Sequence, residues 1–67
     1  MKKINHSVTL KRKGKNWIAN SNEYSLITSE ADTMLETLDN IKSGITTYLL
    51  STNKYREPFE VVLTVLK

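Results

Sequence analysis

The chain contains a single histidine, and its imidazole is the group best suited to acid–base chemistry near neutral pH. A catalytic histidine works together with a nucleophile and a third group that orients the ring. No serine, cysteine or second histidine is spaced to complete such a set with His6. Because His6 occupies an apolar position of an alternating segment, we expect it to pack in a sheet or at its rim.

A group of carboxylates could in principle bind metal ions. An RNase H-like nuclease needs several carboxylates that converge on two Mg²⁺ ions, and the first acidic residue here is Glu23. The later acids gather where a helix is predicted to begin, and there they suit the helix dipole as solvated side chains. We therefore expect no catalytic site, no metal site and no cofactor. These later acids are Glu30, Asp32, Glu36 and Asp39.

A basic cluster precedes the only tryptophan. Such a cluster could contact phosphates while Trp17 stacks on a base, which would make residues 11–17 a nucleic-acid-binding hairpin. Alternatively, the cluster is a solvated hairpin tip and Trp17 points into the core, and we favour this second interpretation. Nucleic acid is thus a possible but secondary partner. The cluster consists of Lys11, Arg12, Lys13 and Lys15.

One amphipathic helix is predicted over residues 33–50. Thr33 can cap the amide of Glu36, and the Glu36 carboxylate can reach back to the amide of Thr33, as in a capping box. Gly44 interrupts the helix, and we expect the helix to approach the sheet or a partner backbone closely at this point. The apolar stripe that commits one side of the helix to a core is Met34, Leu38, Ile41, Ile45, Tyr48 and Leu49.

The remaining segments alternate with the period of β-strands. Strands are predicted over residues 4–11, 17–21, 24–28 and 59–66, with a hairpin loop over residues 12–16 around Gly14. The helix allows the fourth strand to return parallel to the first. The prediction is an α+β fold of the form β-β-β-α-β, with a mixed sheet of order 3-2-1-4 and the helix on one face.

Size and composition limit the class of protein. A chain of 67 residues forms one domain and hides only about 60% of the surface of its unfolded chain, so we expect help from a partner. The last predicted strand is apolar on both faces, which favours a homodimer or a tight complex with another protein over a lone monomer. The chain has no cysteine and lacks the run of roughly 18 apolar residues that spans a bilayer, which predicts a soluble cytoplasmic protein without membrane contact.

Two segments carry a family resemblance. Residues 14–19, Gly-Lys-Asn-Trp-Ile-Ala, and residues 32–45, with Asp-Asn-Ile-Lys-Ser-Gly-Ile at their end, are similar to the hairpin and the helix of the HicB-like antitoxin domain. The apolar strand over residues 59–67 completes the pattern. The resemblance covers nearly the whole chain and implies a single HicB-like domain over residues 1–67 with a partly degraded RNase H-like fold.

The resemblance implies a function without catalysis. We expect a protein-binding module, either a HicB-like antitoxin of a toxin–antitoxin pair or a small inhibitor encoded by a mobile element, that masks a surface of another protein. The alternative is a small nucleic-acid-binding protein that uses residues 11–17. On the face of the sheet away from the helix, the residues expected to contact a protein partner are Ile18, Ile27, Val62 and Leu66.

Overall fold

A computed structural model describes residues 1–66 as one sheet and one helix. The elements are β1 Lys2–Lys13, β2 Asn16–Ser21, β3 Thr28–Ala31, α1 Met34–Ser51 and β4 Phe59–Leu66. The sheet has the order β3-β2-β1-β4, with β4 parallel to β1 and the other neighbours antiparallel. The predicted α+β class, element order and sheet order are confirmed.

The first hairpin is tighter than predicted. Lys13 pairs with Asn16, so only Gly14 and Lys15 lie in the turn. Gly14 has φ of 61°, the left-handed conformation that glycine adopts without strain. A glycine at the first central position is typical of the type II′ turn, whose twist matches that of the flanking strands. The prediction of a loop over residues 12–16 is wrong because Arg12 and Lys13 continue β1.

The third strand begins four residues later than predicted. It spans Thr28–Ala31 and pairs with β2 from Trp17 opposite Ala31 to Asn20 opposite Thr28. The predicted strand over residues 24–28 is wrong in all but its last residue. Leu26 and Ile27 suggested a strand from residue type, but hydrogen bonds hold residues 22–27 in a connection.

The helix begins after Thr33, whose hydroxyl oxygen accepts the amide proton of Glu36 at 3.1 Å. The side chains buried on the helix recur every fourth residue: Thr37, Ile41, Ile45 and Leu49. The predicted stripe began with Met34, but Met34 is exposed and Thr37 is the first buried residue of the helix. The Thr37 hydroxyl donates to the carbonyl of Thr33 at 2.7 Å. This bond satisfies the polar group of Thr37 inside the helix.

The core lies between the helix and one face of the sheet. β1, β2 and β4 contribute the alternate residues that face α1, and the fully buried apolar side chains are Val8, Leu10, Ala19, Ile41, Ile45, Leu49 and Val61. Gly44 is exposed, and a Cβ at this position would lie 3.6 Å from Cγ2 of Ile27, an ordinary van der Waals contact. The predicted close approach of the helix to the sheet at Gly44 is therefore wrong.

Candidate functional site

A buried polar pair lies beneath the connection between β2 and β3. His6 is 4% exposed, and its Nε2 is 2.7 Å from Oγ of Ser21. The same Oγ accepts the amide protons of Tyr24 at 2.9 Å and Glu23 at 3.3 Å. A hydroxyl has two acceptor lone pairs and one proton, so Ser21 must donate that proton to Nε2.

The hydrogen bonds assign the tautomer of His6. Nε2 accepts the hydrogen bond from the Ser21 hydroxyl. The neutral ring therefore carries its proton on Nδ1, which lies 3.6 Å from Oε2 of Glu23. The ring also stacks on Tyr24, with 5.5 Å between centroids. His6 is thus packed in the sheet, as predicted, and it supports the connection between β2 and β3. The expectation that no serine is placed to join His6 is wrong, because Ser21 and Glu23 lie at its two ring nitrogens. Ser21 is itself 4% exposed and its oxygen accepts two amides, so the set supports the connection.

Further hydrogen bonds hold the connection at both ends. The amide of Asn22 donates to the carbonyl of Ser7 at 3.1 Å, and the amide of Ser21 donates to the carbonyl of Ile27 at 3.0 Å. The amide of Ile27 then donates to the carbonyl of Tyr24 at 2.9 Å, which closes a β-turn with Ser25 and Leu26 at its centre. We call residues 24–27 the Leu26 turn.

The Leu26 turn holds an apolar side chain in solvent. Leu26 is 94% exposed, although backbone bonds close the turn that carries it. Next to it, Tyr24 packs on Tyr48 of the helix with 4.6 Å between ring centroids, and Tyr48 is itself 41% exposed. A groove of about 470 Å³, the Leu26 groove, lies between turn and helix and is lined by Glu23, Tyr24, Ser25, Leu26, Ile27 and Tyr48.

The charges near the Leu26 groove are few. Glu23 is the one charged residue among those that line it, and its side chain is 59% exposed. Lys54 lies near Tyr24 and Tyr55, and its pKa is raised, chiefly by Tyr24 and then by Tyr55. The wall of the groove therefore combines apolar surface with one accessible carboxylate.

Three of the four predicted partner-binding residues lie on the face of the sheet away from the helix. In the sheet register Ile18 is opposite Lys11, Val62 is beside Asn5, and Leu66 is beside Thr9. The polar side chains of β1 thus separate Ile18 from the two residues of β4. The predicted apolar patch on this face is not continuous.

The fourth predicted residue lies on the opposite side. Ile27 packs against the core, and its Cγ2 lies beside Gly44 of the helix. The prediction placed Ile27 on the outer face because it treated residues 24–28 as a strand. As part of the Leu26 turn, Ile27 instead closes the gap between the turn and α1.

The basic cluster is divided between the two faces of the sheet. Lys11 and Lys13 share the face of Ile18, and Nζ of Lys13 is 4.0 Å from Oε1 of Glu30. Arg12 lies on the helix side, where its guanidinium is 5.1 Å from the centroid of Trp17. Lys15 lies in the turn between the strands.

Trp17 packs against the core, as predicted for a hairpin whose tip is solvated. Its neighbour Arg12 covers the ring at the distance of a cation–π contact. A base could stack on this ring only after displacing the guanidinium.

The carboxylates near the helix are dispersed. Glu30 accepts a hydrogen bond from Nδ2 of Asn16 at 2.9 Å, and Asp32, Glu36 and Asp39 are exposed. Among residues 1–66, no three side chains of the His, Cys, Asp and Glu types come close enough together to hold a metal ion. In the same part of the chain, α1 lacks the apolar length required to cross a membrane.

The sequence prediction missed the Leu26 turn. One available signal was Ser21, since a serine hydroxyl that caps the amides two and three residues later begins a turn. No sequence signal indicated that Leu26 is exposed, since Leu26 and the half-buried Ile27 are both large aliphatic residues.

Comparison with known proteins identifies no relative. The chain matches no family model, and no curated protein or solved structure is significantly similar to it. The HicB-like resemblance therefore rests on the hairpin, helix and terminal-strand residues quoted for it.

Proposed function

We propose that this chain is a non-enzymatic protein-binding module that acts in the cytoplasm as an antitoxin or inhibitor, by covering an active or binding surface of another protein. The observation that carries the proposal is Leu26, 94% exposed beside a groove of about 470 Å³. Single exposed leucines are common on protein surfaces. Leu26 is different because Tyr24 and Tyr48 extend its apolar surface into a groove.

Rigidity is the second argument for binding at this position. The Leu26 turn is held by the Ser21 hydroxyl, which also contacts His6, and by backbone hydrogen bonds at residues 22 and 27. A backbone that is already ordered before association loses little entropy on binding. Full burial of one leucine contributes about 1.5–3 kcal/mol, and pre-organisation lets most of that appear as affinity.

The chemistry of the groove indicates the chemistry of the partner. The apolar walls fit a large aliphatic or aromatic side chain, and the exposed carboxylate of Glu23 fits a lysine or arginine beside it. We therefore propose that the partner presents a large apolar side chain next to a lysine or arginine.

The basic hairpin gives less support to nucleic-acid binding. Lys11 and Lys13 point away from the side of the sheet that carries Arg12, so the cluster does not form one phosphate-binding surface. Lys13 is also near Glu30. Trp17 is covered by Arg12. These contacts favour a solvated hairpin tip.

The experiment begins with a photo-cross-linking amino acid at position 25, inside the Leu26 turn, in the host cell. The matched control carries the same group at position 47, which is exposed on the helix. We expect one protein adduct from position 25 and none from position 47. An adduct to RNA or DNA from position 25, or equal protein adducts from both positions, would contradict the proposal.

The captured protein is then purified and its own activity is measured against increasing amounts of the chain. We expect stoichiometric inhibition, weakened about 10- to 100-fold by Leu26→Asp, which removes the buried leucine. The control is Leu35→Asp, because Leu35 is 71% exposed and an aspartate in the first helical turn suits the dipole. Inhibition that both variants weaken equally, or no inhibition at all, would overturn the proposal.

A further inference from the structure

We infer that two copies of this chain associate through β4, antiparallel across a two-fold axis, and join their four-stranded sheets into one of eight strands. Among the described residues, β4 has β1 as its one neighbour, so its other edge carries unpaired amides and carbonyls. Such an edge is a template for another strand. This inference goes beyond the proposed function and does not depend on the Leu26 turn.

The residues of β4 do little to prevent pairing. Exposed edges are usually protected by lysine, proline, a bulge or a short strand. Phe59–Leu66 spans eight residues, pairs with β1 in continuous register and contains one charged residue, Glu60. Pro58 precedes the strand and leaves its edge free.

The side chains of β4 remain incompletely covered on both faces. On the helix side Phe59, Leu63 and Val65 are half-buried, whereas Val61 is fully buried. On the other face Val62 is half-buried and Leu66 is 48% exposed. Each of these side chains would gain apolar contacts from a strand placed alongside β4.

The backbone direction shows which residues would form the new hydrogen bonds. The carbonyl of Pro58 accepts the amide proton of Lys2 at 3.3 Å, so residue 58 faces β1. Because successive residues of a strand direct their backbone groups to opposite sides, Phe59, Val61, Leu63 and Val65 direct theirs to the free edge.

Symmetry then selects one register. A two-fold axis perpendicular to the sheet keeps side chains on their own face, so each residue must meet one on the same face. Centred on Val62, the pairing places Val62 opposite its own copy, Val61 opposite Leu63 and Phe59 opposite Val65. Glu60 then lies opposite Thr64, a pair that is polar on both sides, and Leu66 lies opposite Pro58, which precedes the strand.

The neighbouring register is less favourable. Centred on Leu63, the pairing would keep two apolar pairs, Leu63 with its own copy and Val61 with Val65. It would also place Glu60 opposite Leu66 and Val62 opposite Thr64, which sets a polar residue against an apolar one in both of these pairs. The apolar pattern of β4 is thus self-complementary about Val62, and that property identifies a second copy as the occupant of the edge.

The first test measures mass at micromolar concentration by sedimentation velocity. We expect the wild type at twice the chain mass of 7.7 kDa. Val62→Lys places two ammonium groups opposite each other at the centre of the pairing and should raise the dimer dissociation constant on the order of 100-fold. Circular dichroism should show an unchanged fold, because the side chain points away from the helix.

The matched control is Ile18→Lys. Ile18 is equally half-buried on the same face, but it lies on the inner strand β2. If the dimer forms through the β4 edge, Ile18→Lys should remain dimeric. If instead two sheets stack face to face, the new lysine should disrupt the dimer. Dissociation by Ile18→Lys to the same extent would overturn the inference.

A charge-swap experiment tests the register itself. Val62→Lys and Val62→Glu should each be monomeric alone and should form a dimer when mixed, because lysine then faces glutamate across the axis. A monomeric wild type, a Val62→Lys variant that stays dimeric, or no association in the mixture would each contradict pairing centred on Val62.

Discussion

The two edges of the sheet differ in length, polarity and attachment to the helix. At one edge, β3 has four residues, and Oγ of Ser29 donates to the carbonyl of Thr37 at 2.7 Å, which fixes α1 over that strand. Glu30 adds a charge that contacts Asn16 and Lys13 of the hairpin. At the other edge, β4 has eight residues and is apolar on both faces.

This difference shows how a small domain can divide its contacts. The β3 edge is short and polar, so it resists strand addition, while the Leu26 turn beside it offers one apolar side chain. The β4 edge offers backbone groups and a row of apolar side chains. We therefore propose that the Leu26 turn binds another protein and that the β4 edge binds a second copy of the chain.

The largest effect should come from the core that both edges share. Ile45 is fully buried, and Ile45→Ala should lower the free energy of unfolding by about 2–5 kcal/mol, because it leaves a cavity. Urea denaturation at fixed protein concentration measures the change, and amide exchange should accelerate at β3 and β4 alike. If amide exchange stays slow at either β3 or β4, the two edges do not depend on one core.

A smaller and more local effect is expected beneath the Leu26 turn. Ser21→Ala removes the acceptor for the amides of Glu23 and Tyr24 and the proton donor to His6, at a cost of about 1–3 kcal/mol. Hydrogen exchange should accelerate more at residues 22–27 than at β4. Ser51→Ala, at the exposed end of the helix, is the control and should leave both regions unchanged.

The charge on the β3 edge should contribute still less to stability. The side chains of Lys13 and Glu30 are 69% and 40% exposed, so Glu30→Gln should cost less than about 1 kcal/mol. The cost should shrink further in high salt. Sedimentation should show an unchanged mass, since β3 takes no part in the pairing, and a change of mass would reverse the roles of the two edges.

The smallest effect is expected from the helix beside the Leu26 groove. Gly44→Ala should stabilise the fold by up to about 1 kcal/mol, because alanine favours the helix and its Cβ would meet Ile27 at an ordinary 3.6 Å. Thermal melting at matched concentration measures the gain. A lower melting temperature would show that the helix sits closer to the turn than this distance allows.

Regular periodicity made most of the fold predictable. The three- and four-residue spacing of the apolar helix residues and the alternation in β1 indicated the element order, and the helical crossover between β3 and β4 allowed a parallel return. The third strand was misplaced because Leu26 and Ile27 suit a strand by type. Their actual positions depend on the Ser21 hydroxyl and its contact with His6, which lie far apart in sequence.

The candidate site was less predictable for a related reason. Sequence patterns reveal side chains that are buried together, whereas Leu26 is distinguished by being exposed on an ordered turn. The predicted outer patch failed for Ile27 because its strand was wrong. It failed as a continuous surface because the polar residues of β1 lie between Ile18 and β4.

The parallel pairing of β1 with β4 also has a consequence for biosynthesis. Each of the first eight residues of β1 pairs with one 57 positions later, from Lys2 with Phe59 to Thr9 with Leu66. Contacts so distant in sequence form late and slowly, since the loop between them must close first. During translation β1 can pair with β2 at once, but its other edge stays unpaired until residues 59–66 have left the ribosome, so β4 completes the sheet last.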